Sequence, residues 1–135
     1  MRKKLENLFD FKLRVKKIFQ GSRDGFRSSI FHKNCDDQGP TITIILTKDQ
    51  KIFGGYTDIC WKSTDKIIKG DGNSFVFSYK NNNNFEKLNS LSDKQEVSHY
   101  SDRLCYFYAA FTIEDNCNNN KYNKDIYKRN RCLLN

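Results

Sequence analysis

No uninterrupted apolar run in this chain approaches the roughly 20 residues a helix needs to cross a bilayer. The opening Met1-Arg2-Lys3-Lys4 leads into charge and not into the apolar core of a signal peptide. An integral membrane protein is therefore not expected, and a soluble cytoplasmic one is. Paired cysteines are missing as well: Cys35, Cys60, Cys105, Cys117 and Cys132 are odd in number, share no repeated short spacing and include no Cys-x-x-Cys. Reduced thiols follow. His32 and Cys35 are three residues apart, but no second close pair completes the four ligands of a structural zinc site. The formal charge of +8 is scattered along the chain, and no zinc-finger, RNP-like or basic-zipper pattern accompanies it, so no specific nucleic acid is expected. No recognisable catalytic signature is present, and neither a metal nor a cofactor is expected.

What is there is enough for one folded unit. A length of 135 residues allows one compact domain, and 14% aromatic residues argue for a packed core despite 30% charged ones. Residues 1–17 form a basic leader, partly helical, with Leu5 and Leu8 packing on the domain; a basic amphipathic leader also suits a membrane surface. Ser22 is a good N-cap for a helix running through Phe26 and Ile30 to about Asn34, with Asp24 in the first turn, where the macrodipole favours negative charge. Gly25 within it indicates close packing or a special backbone angle. Gly39-Pro40 ends the helix.

Thr41 to Thr47 alternates threonine and Ile45 against Ile42, Ile44 and Leu46, a strand period with one strongly apolar face. After a turn at Lys48-Asp49-Gln50, Lys51 to Thr57 returns as the partner strand. Gly54-Gly55 inside it marks a bulge or the close approach of a large neighbour, for which Trp61 is the expected residue. Lys62 to Asn73 reads as a polar loop. Strands are expected at Phe75 to Tyr79, Phe85 to Leu88, about Glu96 to Tyr100, and as one buried strand from Leu104 to Ile113. From Asp115 onward the chain is Asn-rich and basic, and poor order is expected.

Ser22-Arg23-Asp24-Gly25-Phe26, Phe31-His32, Gly39-Pro40-Thr41 and Phe53-Gly54-Gly55-Tyr56-Thr57 follow one another in an order that resembles the TLDc domain family. The resemblance spans about Ile18 to Tyr79. It implies an α+β protein, mainly β with flanking helices: a two-sheet antiparallel β-sandwich, with the domain over 18–114 and a tail over 115–135. The family's Gly-Pro-x-Phe-Gly segment has no counterpart in Ser101 to Phe111, and its closing strand has none before Asn135, so a divergent or C-terminally shortened member is expected.

The resemblance makes Ser22, Arg23, Asp24, Gly25, Phe26, Gly39, Pro40, Phe53, Gly54, Gly55 and Trp61 signature positions, structural or partner-binding. Asp24 is expected to receive helix N–H groups, and Arg23 to reach a carboxylate or carbonyl elsewhere in the sheet. The resemblance further implies a non-catalytic protein-interaction module linked to oxidative-stress resistance, with the vacuolar proton-pumping ATPase as partner. The alternatives are a redox-active protein or enzyme using Cys35 with His32 or His99, and a basic nucleic-acid or acidic-lipid binder.

Overall fold

In the computed structural model, which describes residues 2–69, 73–80, 83–88, 96–107, 110–118 and 132–134, the threonine–isoleucine alternation becomes strand β1 (Thr41–Thr47). It turns back as β2 (Ile52–Thr57), paired antiparallel from Thr41 with Thr57 to Leu46 with Ile52. The turn is closed by the Gln50 N–H donating to the Thr47 carbonyl at 3.0 Å, with Gln50 at a positive φ of 60°. The other strands are β3 (Lys66–Lys69), β4 (Phe75–Tyr79), β5 (Phe85–Lys87), β6 (Glu96–His99), β7 (Arg103–Phe107), β8 (Phe111–Glu114) and β9 (Cys132–Leu134). The helices are α1 (Arg2–Glu6), α2 (Gly21–Asp24) and α3 (Ser28–Cys35). Among the described residues the strands form two antiparallel sheets, β5-β4-β2-β1-β9 and β3-β6-β7-β8.

The two sheets close on each other over Ile45, Trp61, Val97, Leu104, Phe107 and Ile113, with Phe19, Phe26 and Phe31 sealing the helical side. Burial of such a face is the main favourable term in the fold. The face of β1 that enters this core is not the isoleucine-rich one. Thr43, Ile45 and Thr47 point inward and are buried, while Ile42 and Ile44 point to the outer face. The threonines are tolerated inside because hydroxyls find local partners: Thr47 Oγ1 accepts from the Lys51 N–H at 3.1 Å, and Thr57 Oγ1 accepts from Ser74 Oγ at 3.0 Å. The outer face is covered by the leader, whose Leu5, Leu8 and Leu13 pack with Phe77 and Phe85. The first sheet is thus apolar on both sides, which is why β1 carries isoleucines on one face and still buries the other.

Several local readings change. The expected single helix is split into α2 and α3 at Gly25, whose φ of 96° lies where glycine is favoured. Gln20, not Ser22, occupies the N-cap position of α2. The polar loop after Trp61 contains β3, which pairs with β6 from Lys66 with His99 to Lys69 with Glu96. Leu104 to Ile113 is a hairpin and not one strand: Phe107 pairs with Phe111, and the Ala110 N–H donates to the Phe107 carbonyl at 3.1 Å. Of the expected tail, Asp115–Asn118 are described and Cys117 is buried, and β9 adds to the free side of β1, pairing Ile45 with Leu134 and Thr47 with Cys132. The remainder of that segment lies outside the described residues.

Gly54 and Gly55 sit on opposite faces of β2, and neither has Trp61 as its nearest neighbour. A Cβ on Gly55 would come within 2.5 Å of the Phe107 ring across the inter-sheet core, and one on Gly54 would collide with the Thr43 carbonyl of β1. The large neighbour is therefore Phe107. Phe53, on the same strand, meets Phe111 edge to face at 5.3 Å between centroids.

Candidate functional site

The Ser22–Phe26 box forms a self-contained corner. Asp24 reaches back along α2 so that its Oδ2 accepts from the Gln20 N–H at 2.8 Å, which satisfies one donor at the helix start. The Arg23 guanidinium closes on the same carboxylate, with Nε at 2.6 Å from Oδ1 and a terminal nitrogen at 2.7 Å from Oδ2. Its partner is the adjacent residue, not a group in the sheet. The Arg23 hydrogen bonds, reinforced by the Gln20 N–H, hold the Asp24 carboxyl down at about 2. Ser22 Oγ accepts from the Gln20 side-chain amide at 2.9 Å. Phe26 is buried and packs so tightly on Gly21 that a Cβ there would enter the ring.

The second half of the corner comes from far along the chain. Asp115 Oδ1 accepts from the Ser28 N–H at 2.6 Å, so a carboxylate from beyond β8 caps α3 at the end where the dipole is positive. The neighbouring Asn116 N–H donates to the Phe26 carbonyl at 2.8 Å. Local sequence reasoning missed Asp115, because nothing in its neighbours announces a helix more than eighty residues away. Its position just after an apolar strand was the available hint.

A polar cluster gathers at the other end of α3. His32 is buried, and each of its ring nitrogens faces acceptors: Asp36 Oδ1 at 2.7 Å from Nδ1, and the Tyr100 and Arg103 carbonyls at 2.9 and 2.8 Å from Nε2. So engaged, the imidazole ties α3 to the turn between β6 and β7. Ser63 Oγ donates to Asp36 Oδ2 at 2.8 Å. Asp65 holds the same turn from the far side, its Oδ1 accepting from the Ser101 N–H at 2.8 Å and hydroxyl at 2.9 Å, which keeps that carboxyl below its ordinary range. Trp61 is fully buried between these groups; its indole N–H donates to Thr41 Oγ1 at 2.9 Å, and its carbonyl accepts from the Asp37 N–H at 3.1 Å.

His99 packs at a 46° tilt on Trp61, 5.6 Å between centroids, is 0% exposed, and makes no well-formed hydrogen bond through either ring nitrogen, the Lys62 backbone being only a weak partner. Burial pushes its pKa down, and the Asp36 carboxylate and the nearby Lys62 backbone oppose that only in part, which favours the neutral ring. Gly39 adopts a φ of 86° just before Pro40, with open space where a Cβ would stand, so the turn needs its backbone freedom and not its small size.

Cys35 is 4% exposed at the end of α3. Burial, helped by the negative charges of Asp36 and Asp24, pushes its thiol up to about 12. It forms no hydrogen bond with His32 or His99, and among the described residues no group of three or more His, Cys, Asp or Glu side chains is placed to hold a metal. Polar ties at both ends of α3, the Asp24 carboxylate closing the start of α2, and an apolar interior are what the signature residues and their neighbours build together.

The family model of the TLDc domain matches residues 1–130. The chain belongs to the TLDc domain family. This TLDc domain is also similar to human interferon-induced protein 44, with 39% identity over 54 residues, which cover 40% of the chain and 12% of that relative. The match thus spans about an eighth of the length of the curated relative. Among the described residues of the TLDc domain, no helix is long and apolar enough to cross a membrane.

Proposed function

We propose that this TLDc domain is a non-catalytic protein-interaction module of the cytoplasm, acting in resistance to oxidative damage through association with the vacuolar proton-pumping ATPase. Family membership supplies the direction of this reading. The observation that carries it is the edge of the second sheet. β3 has β6 on one side and no strand on the other among the described residues, and its Ile67 is 53% exposed between Lys66 and Lys69. An extended, acidic partner segment can add to such an edge through main-chain hydrogen bonds, with the exposed Lys66 favouring its charge. By contrast, Arg23, Asp24, His32, Asp36 and Trp61 are engaged with one another, with backbone or with the Thr41 and Ser63 hydroxyls, and the Cys35 thiol is buried and poorly acidic, which weighs against thiolate chemistry.

The test is direct binding of the purified chain to the purified soluble sector of the proton pump, measured by interferometry. The expected result is a saturable signal that survives Cys35→Ser and falls at least about tenfold for Ile67→Glu, which sets like charge against an acidic partner. No binding by the unaltered chain would overturn the partner assignment. Binding that ignores Ile67→Glu would overturn the edge as the surface.

A further inference from the structure

Residues 11–17 read Phe-Lys-Leu-Arg-Val-Lys-Lys and run without helix or strand across the outside of the first sheet. The segment is pinned at two points. Leu13 is buried in the outer-face cluster with Leu5, Leu8, Phe77 and Phe85, and Phe19, just beyond the segment, enters the inter-sheet core. Everything else in it is presented to solvent. Phe11 at 59% and Val15 at 54% are the two most exposed large apolar side chains among the described residues. Lys12, Arg14, Lys16 and Lys17 are exposed beside them. Lys17 donates to Gln20 Oε1 at 2.6 Å, whereas Lys12, Arg14 and Lys16 have no ion pair or side-chain hydrogen bond among the described residues. Asp10 is the one acidic residue between positions 9 and 20.

The apolar end of this segment continues into the sheet surface. Phe11 contacts Phe9 at 5.3 Å between centroids, Phe9 contacts Tyr56 at 5.1 Å and Phe75 at 5.3 Å, and Lys87 lies over the Phe75 ring at 4.3 Å. All four rings are at least partly open to solvent. A run of aromatic rings therefore ends in an exposed phenylalanine, bordered on both sides by cations.

We infer that residues 11–17 form a strap that attaches this domain to an anionic lipid bilayer, with Lys12, Arg14 and Lys16 meeting headgroups while Phe11 and Val15 enter the boundary with the acyl chains. The alternation of exposed apolar and cationic side chains is what decides between partners. The backbone of a nucleic-acid duplex would engage the cations but leaves both Phe11 and Val15 in water. A bilayer interface takes up both apolar side chains and both kinds of charge contact. Fixing the strap at Leu13 and Phe19 also removes much of the ordering cost that a free basic tail would meet on binding.

The experiment is co-sedimentation of the full chain with vesicles of phosphatidylcholine alone or with roughly one third phosphatidylserine, alongside binding to duplex RNA. Binding to the phosphatidylserine vesicles, and not to the neutral ones, is expected, falling as salt rises. Each strap cation is worth about fivefold at an anionic surface, so the combined Lys12→Gln, Arg14→Gln and Lys16→Gln variant should bind about a hundredfold more weakly. Phe11→Ser with Val15→Ser should weaken vesicle binding about tenfold and leave RNA binding unchanged. All five positions are exposed, and an unchanged thermal unfolding curve confirms that each variant is folded. Vesicle binding that is insensitive to the cation variant would overturn the inference. So would RNA binding tighter than vesicle binding together with no effect of the Phe11 and Val15 changes, which would mark the strap as a polyanion site.

Discussion

Gly55→Ala tests the sandwich at its tightest approach. Gly55 has no positive φ, so a strand with space for a methyl group would gain about 0.4–1 kcal/mol from the stiffer unfolded chain. The structure predicts the opposite sign, because the new Cβ would lie 2.5 Å from both Cε1 and Cζ of Phe107. That is far inside ordinary van der Waals contact, and overpacking of this kind costs about 1–3 kcal/mol. A loss of about 2 kcal/mol would lower the melting temperature of a domain this size by about 8 °C.

The decisive assay is a double-mutant cycle by urea unfolding. Phe107→Leu alone opens space in the core and should cost about 1–2 kcal/mol, yet in the Gly55→Ala background it removes the ring that the methyl group strikes, so the two losses should fall short of their sum by about 1 kcal/mol or more. Gly54→Ala is the internal control. Its Cβ meets the Thr43 carbonyl, and backbone in a paired strand cannot retreat, so trimming Phe77 to Leu should give no rescue. Additivity of Gly55→Ala and Phe107→Leu within about 0.5 kcal/mol, or a stabilising Gly55→Ala, would refute the packing argument.

His99→Leu should be neutral or stabilising by about 1 kcal/mol in chemical denaturation, since it replaces two buried ring nitrogens that lack a well-formed hydrogen bond with an apolar group of similar size. The same residue sets a pH dependence: with its folded pKa below the unfolded 6.5, stability is full above that value and declines as pH falls through it toward the folded value. His99→Leu should flatten that decline, measured with the surrounding His32, Asp36 and Lys62 intact. A second, lower window belongs to Asp24, whose contribution is complete above 3.8 and is lost as pH drops toward about 2; Asp24→Asn should remove that part of the acid transition. Asp115→Ala should cost about 1 kcal/mol in urea unfolding, the usual loss for a helix cap, and Asp115→Asn should retain part of it. Cys35 should resist iodoacetamide at neutral pH in the folded chain and react once denatured.

The hairpin from Thr41 to Thr57 was legible because strand alternation and a three-residue turn are local signals, and they survive folding unchanged. The unusual backbone at Gly25 was legible for the same reason, though its consequence, a break between α2 and α3, was not. β3 was hidden in a segment whose lysines and serines read as loop; only pairing with β6 makes Lys-Ile-Ile-Lys a strand. The turn inside Leu104 to Ile113 was hidden by continuous apolarity, which cannot distinguish one buried strand from two. At the signature residues, the sequence indicated that Asp24 would take a helix N–H, but the closure of Arg23 on its own neighbour depended on side-chain geometry.

By itself the sequence determined the local conformations: where the chain extends, where it turns, where glycine is required, and that a sandwich of TLDc type is the framework. Tertiary structure decided which face of each strand is the inside. Thr43, Ile45 and Thr47 line the inner face of β1 while Ile42 and Ile44 lie outward, because the leader covers the other side and apolar side chains can be buried from either direction. It also decided the long-range polar ties, Asp115 to α3 and His32 to the β6–β7 turn. Such ties join groups roughly seventy to ninety positions apart, and their hydrogen bonds depend on tenths of an ångström that no spacing in a linear chain encodes.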